Sequence, residues 1–226
     1  MEIPGISDSM KSLSVAGFGN NLTFEARVSS TELGPTGYPF ERFVGELLKN
    51  QGYRVEVRQI VQGHCVQHEV DVVAEKDDRK FMIECKFHSD SSRKCDVKVS
   101  LYIDSRFRDV DKAWRKDESE QQRFHQGWIV TNTRFTEDAM QYGECAGLHL
   151  VSWDQPAGAS LKDRIDRSGL HPVTALQTIS KKQKQTLLER EVVLCRYIDN
   201  EVLRELGLQG RQIRKVMEEV QAITGH

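Results

Sequence analysis

The sequence predicts an α/β fold, a mixed central sheet with helices on both faces, followed by a small all-helical C-terminal part. Three observations predict it. An amphipathic helical stretch beginning near Pro39 leads into three strand-like stretches. Two further buried strands then alternate with helical stretches, giving the order helix, three strands, helix, strand, helix, strand. After Trp153 the texture changes to DQPAGAS, and everything beyond it has helical character.

Each element has a local reason. In PFERFVGELLKN (39 to 50), Phe40, Phe43, Val44, Leu47 and Leu48 follow the i, i+3, i+4, i+7, i+8 spacing of a helix with one buried face, and Pro39 suits its first turn. YRVEVRQIV (53 to 61), HEVDVVAE (68 to 75) and RKFMIECKFH (79 to 88) read as strands, the last two joined as a hairpin through Lys76-Asp77-Asp78. A helix is expected over about 98 to 116, then a buried strand GWIVTNT (127 to 133). A helix over 135 to 147 follows, with Thr136 as its N-cap, and then a strand LHLVSW (148 to 153). The chain divides into an irregular lead-in (1 to 36), a main domain (37 to 153), a linker with a short helix (154 to 175) and a helical domain (176 to 226).

Composition bounds the function. With 226 residues, 38% hydrophobic and 29% charged, the chain can bury a full core, and disorder or coiled coil describe it poorly. No apolar run approaches the roughly 18 residues of a membrane helix, so no membrane role and a cytoplasmic location are expected. Five cysteines without regular close spacing point to free thiols. The net charge of −2 announces no polyanion partner, but residues 79 to 116 carry 11 basic against 6 acidic groups, and residues 161 to 226 carry 12 against 9.

Strand parity singles out the chemistry. On the third strand Phe81, Ile83, Cys85 and Phe87 share an apolar face, whereas Met82, Glu84, Lys86 and His88 share the other. On the second strand the alternation puts Val70, Val72 and Ala74 together and sends Glu69, Asp71 and Val73 to the opposite side. A hairpin closing about Asp77 and Asp78 sets Asp71 across from Glu84 and Glu69 across from Lys86. Like charges directly opposed in a sheet repel, so something positive belongs between Asp71 and Glu84. A divalent cation held by two carboxylates, waters and a substrate phosphate meets that need, with Lys86 beside it; a solvated face whose acids and lysine pair among themselves is the plainer alternative.

The ordered elements around Glu-Val-Asp (69 to 71) and Glu-Cys-Lys (84 to 86) resemble the PD-(D/E)XK nuclease superfamily, in particular the Mrr-like restriction endonuclease catalytic domain, over about residues 37 to 153. GYPFERFV through Gly52 and Tyr53 is similar to that family's first helix, and GWIVTNTRFTEDA (127 to 139) to its strand and helix after the active site. The resemblance implies a restriction-endonuclease-like αβββαβαβ core. It implies Asp71 and Glu84 as metal-binding carboxylates, the main-chain carbonyl of Cys85 as a further ligand, Lys86 as the catalytic lysine and Glu41 as an accessory acid. Glu41 lies only about 20° from Leu48 on a helical wheel, although an acid in a first turn also suits the helix dipole. Glu69 either assists the metal or pairs with Lys86. The implied cofactor is Mg²⁺, with Mn²⁺ as a substitute, and the implied partner is DNA.

The approach to the aspartate departs from the Mrr pattern. GHCVQHEVD (63 to 71) replaces a glycine-rich run, and its Glu-Val-Asp resembles resolvase-like relatives, leaving duplex and branched DNA both open. In the basic helix after the site, Tyr102 and Arg106 share a face and offer DNA a ring and a phosphate fork, against the alternative of a solvated face. The spacings Cys65-x₂-His68 and Cys85-x₂-His88 suggest zinc superficially, but parity sends Cys85 and His88 to opposite faces. In the tail, LRELGLQGRQIRKVMEE (203 to 219) resembles a helix-hairpin-helix whose turn would offer Gly207, Gly210 and Arg211 to a phosphate. Together these features favour a metal-dependent DNA endonuclease of restriction or defence type acting as a homodimer, with an inactive DNA-binding or scaffolding protein on the same fold as the alternative.

Overall fold

The computed structural model describes residues 37–115 and 123–225, so the expected lead-in over 1–36 lies outside the described residues. Helix α1 (Tyr38–Asn50) starts with Pro in its first turn and buries Phe40, Phe43, Val44, Leu47 and Leu48, the five residues its spacing selected. Each is at most 3% exposed, which places roughly 1.5–3 kcal/mol of burial on each side chain. Gly45 lets β1 approach closely, since a Cβ there would sit 3.3 Å from Val55 Cγ1 and from Val57 Cγ2.

Strands β1 (Arg54–Gln62), β2 (Gln67–Lys76) and β3 (Arg79–Lys86) form an antiparallel meander. Strand β5 (Phe124–Thr131) pairs parallel with β3, and β7 (His149–Val151) pairs parallel with β5, so the main sheet is mixed and ordered β1-β2-β3-β5-β7. Helices α2 (Val97–Trp114) and α3 (Glu137–Ala146) connect the parallel strands. Asp96 caps α2 by accepting from Lys98 N, and Thr136 caps α3 by accepting from Ala139 N. Two short strands, β4 (Lys94–Cys95) and β6 (Arg134–Phe135), make a separate parallel pair that the sequence did not announce, because two residues carry no period. Strand β5 also begins three residues earlier than expected: His125 and Gln126 hide its start, yet Phe124 already pairs with Lys80.

The β2–β3 turn is the two-residue loop Asp77-Asp78, with both residues left-handed at φ 52 and φ 59. Aspartate tolerates this conformation but glycine adopts it freely. Asp78→Gly is therefore expected to raise stability by roughly 0.5–1 kcal/mol in chemical denaturation. A loss of stability would mean that the Asp78 side chain, not the backbone, sets the turn.

Beyond β7 the chain forms α4 (Leu161–Ser168), α5 (Lys181–Glu189), α6 (Asn200–Glu205) and α7 (Arg211–Thr224), with single 3₁₀ turns at Val173–Ala175 and Cys195–Tyr197. Capping boxes start α4 (Ser160 with Asp163) and α5 (Ser180 with Gln183). The composition change at Asp154–Ser160 coincides with the end of the sheet but not with the end of the core. One apolar cluster runs from Phe40, Val72, Ile83 and Trp128 through Leu161 and Leu176 to Leu203 and Val220. Polar contacts reinforce the junction: Tyr38 Oη donates to Glu191 Oε1 at 2.7 Å, and Tyr197 Oη donates to Glu46 Oε2 at 2.6 Å. Among the described residues no helix is long and apolar enough to cross a membrane.

Candidate active site

The site forms where the regular β2–β3 ladder stops. Its register runs from Lys76↔Arg79 to Val72↔Ile83, and the next pair in that register would be Asp71 with Glu84. There the backbone pairing gives way to a side-chain contact, with Cys85 N donating to Asp71 Oδ2 at 2.7 Å. The hairpin thus sets Asp71 beside the Glu84-Cys85-Lys86 tripeptide.

Strict alternation along β2 fails at this point, which corrects the expected grouping of Val70 with Val72 and Ala74. Val72 and Ala74 pack in the cluster that contains α1, whereas Val70 joins Val61, Val73 and Met82 in a second cluster with Val110 of α2. Strand β1 changes sides at the matching place: Val55 packs with the first cluster and Val61 with the second. Arg58, across from Asp71 in the β1–β2 register, adopts φ 55. The β1–β2 ribbon therefore coils from one face of the sheet to the other, and Asp71 occupies the crossover.

Three acids share this region, and each holds its proton more tightly than usual. Burial raises Glu84 to about 7, with the charge of Asp71 as the next cause. Burial raises Glu41 to about 7 as well, followed again by Asp71. Asp71 is raised by burial, opposed by its hydrogen bond from Cys85 N and by the charges of Arg106 and Lys86. Glu41 Oε2 is buried without a hydrogen-bond partner. These carboxylates are close enough to repel one another and too dry for water to compensate fully.

The positive charge set against Glu84 within the chain is Arg106. Its Nη1 donates to Glu84 Oε2 at 2.6 Å, and its Nη2 donates to the carbonyl of Glu69. Arg106 is 8% exposed, which corrects the expectation of a phosphate fork on an open helix face. Arg106 lies on the buried side of helix α2, three residues after Ile103 and four before Val110. Tyr102 stays 60% exposed, with its ring 5.3 Å from the Arg106 guanidinium carbon. Glu69 pairs with Arg58, Nε to Oε1 at 2.9 Å, and not with Lys86, one of the two roles the sequence left open for it. The side chain of Lys86 forms no hydrogen bond or ion pair among the described residues, and its charge acts on both Asp71 and Glu84.

The donor chemistry here suits a hard divalent cation: the donors are oxygens, the acids are raised by burial and mutual repulsion, and one buried oxygen lacks a partner. Among the described residues no three His, Cys, Asp or Glu side chains already converge as a metal cage. A cation would thus be held by the Asp71 and Glu84 pair, with water and phosphate completing its shell, and Arg106 would have to release Glu84 Oε2.

The remaining sequence candidates lie elsewhere. Gly207 (φ 80) and Gly210 (φ 45) sit in the loop between α6 and α7, and Arg211 opens α7; a Cβ at either glycine would meet nothing within 4 Å. None of the three bonds to the acid cluster. Cys85 packs its thiol against the α1 cluster, while His88 Nε2 lies 3.3 Å from Cys95 Sγ. His68 Nε2 lies 2.9 Å from Asp109 Oδ2, which also accepts from Cys65 N through its other oxygen at 2.8 Å, so that triad ties the β1–β2 loop to α2. Sequence reasoning missed Arg58 and the inward turn of Arg106; the only trace of the former is a charged residue where Val55 and Val57 cease to predict the side on which Val61 packs.

With these elements in place, comparison with known proteins defines the class. Residues 35–157 match the family model described as Restriction endonuclease, and the chain belongs to that family. Residues 171–224 match the family described as AF1548-like, C-terminal. The chain is 36% identical over 185 residues to an uncharacterized protein of Archaeoglobus fulgidus, covering 80% of this chain and 100% of that one. A crystal structure titled as a protein of unknown function, AF1548, is similar with TM-score 0.67 and 36% identity over 84% of this chain and 99% of that one.

Proposed function

We propose that this protein is a Mg²⁺-dependent DNA endonuclease of restriction or defence type, with Mn²⁺ as a substitute metal. The observation that carries the reading is the convergence of Asp71 and Glu84 at the broken end of the β2–β3 ladder, with Lys86 two residues beyond Glu84. Membership of the restriction endonuclease family supports it, since domains of that class act on DNA with divalent metals.

Asp71 and Glu84 would hold the cation, with the main-chain carbonyl of Cys85 as a further ligand, while the Glu69 carboxylate stays with Arg58. When bound, the cation would supply charge neutralisation at the scissile phosphate and an acidified water. Lys86 would orient the attacking water or stabilise the negative charge that builds on the phosphate oxygens. Glu41, raised to about 7, would give a proton below that pH and take one above it. The loop containing Gly207 and Gly210, with Arg211 behind it, and the exposed ring of Tyr102 would contact flanking DNA. Cutting both strands with one such site calls for two copies of the chain.

The test is incubation of purified protein with supercoiled plasmid under Mg²⁺ or Mn²⁺, alongside methylated and branched DNA. Nicking that EDTA abolishes is expected. Absence of hydrolysis on all three substrates with either metal, or hydrolysis undiminished in EDTA, removes the reading.

A further inference from the structure

Arg58 stands out as a residue whose conformation its own protein contacts do not explain. It adopts φ 55 in the middle of strand β1, in a region that glycine, asparagine and aspartate enter far more readily than arginine. Its ion pair with Glu69 joins side chains 53% and 51% exposed, and pairs so open to water contribute little to folding. The guanidinium carbon lies 5.3 Å from the centroid of the Tyr38 ring, and Tyr38 is itself fixed by its hydrogen bond to Glu191. The Glu69 bond uses Nε, leaving Nη1 and Nη2 without a protein acceptor among the described residues. The crossover that strains Arg58 is the one that positions Asp71 across from it.

Resting on the nuclease reading above, we propose that Arg58 is a DNA-positioning residue, whose guanidinium, braced by Tyr38 and Glu69, grips a backbone phosphate next to the one presented to Asp71 and Glu84. The chemistry is that of a planar donor fork facing an anion. A ring on one face and a carboxylate at Nε fix the plane of the fork and leave its outer edge for a phosphate. Such a contact sets the register of the strand in the site without reading its bases. The left-handed backbone is then the cost of turning this side chain out at the level of the acids, and Glu69 serves as its orienting partner. Arg58 also acts on the site through charge, because it opposes the raised proton affinity of Glu41.

Two variants test this, using the full chain and a fluorescently labelled duplex DNA in EDTA, so that hydrolysis does not interfere. Arg58→Gly removes the side chain and relieves the backbone; Arg58→Gln removes the charge and keeps the backbone. Thermal melting should show Arg58→Gly at least as stable as the parent. Both variants should bind roughly tenfold more weakly, with the slope of log affinity against log salt shallower by about one. A merely structural arginine would give the opposite pattern, with Arg58→Gly changing melting and neither variant changing the salt slope. Parental affinity and slope in either folded variant overturns the assignment. Failure of the unmodified protein itself to bind this duplex, or a labelled branched DNA in its place, would instead remove the nuclease reading beneath it.

Discussion

Asp71→Asn is expected to lower plasmid nicking by roughly a thousandfold or more while leaving the fold intact. The amide oxygen of asparagine can still accept from Cys85 N, so the contact that ends the β2–β3 ladder survives. What is lost is a negative oxygen at the crossover, and with it half of the carboxylate pair. Lys86→Ala should fall by roughly 10²–10⁴-fold for a different reason, the loss of the ammonium that the proposed mechanism sets beside the reacting phosphate. Isothermal titration with Mn²⁺ separates the two: Asp71→Asn should weaken metal binding, whereas Lys86→Ala should leave it equal or stronger. Melting temperature and DNA affinity in EDTA serve as controls. Either variant cutting plasmid at the parental rate would show that hydrolysis takes place elsewhere.

Arg106→Met should destabilise the metal-free protein by about 3–5 kcal/mol near pH 8, because it strands the Glu84 carboxylate in a buried position beside Asp71. The sign with pH follows from the direction of the shifts. Glu84 and Glu41 are both raised from 4.5 to about 7, so between those values the folded chain carries protons that the unfolded chain has released. The parent without metal therefore loses stability as pH rises through that window, by on the order of 1–3 kcal/mol for Glu84 alone. The Arg106 variant should lose more over the same range and differ least from the parent near pH 5, where Glu84 is protonated. Added Mg²⁺ should restore much of the loss at high pH, since a cation replaces the missing guanidinium. Thermal melts at both pH values, with and without Mg²⁺, check this. An equal loss at both pH values with no recovery by metal would mean that Arg106 matters for its packing alone.

The sequence was most informative where one rule governed a long run of residues. Five apolar positions at helical spacing located α1, and the hairpin register about Asp77 and Asp78 followed from turn chemistry and the two strands. Thr136 announced the start of α3 by its hydroxyl. The two-residue strands β4 and β6 were invisible because they are fixed only by each other. Parity failed at Asp71 because alternation assumes a regular pleat, and the φ of Arg58 can be known only once the ribbon is folded. The inward turn of Arg106 was illegible for a related reason: Tyr102 and Arg106 do share one side of the helix, but the packing of α2 over β2 decides how deeply each position lies. Charge alone suggested an open surface there.

The apolar cluster that runs unbroken from α1 to α7 has a consequence for how such a protein can change over evolutionary time. A recombination event that spliced a foreign tail after Trp153 would bare the flank of the helix bearing Glu41 and cut the tether from Glu191 to Tyr38. The sheet-bearing half is thus not an exchangeable cassette. New properties of the tail would have to arise by substitution within the inherited chain, with both halves descending together.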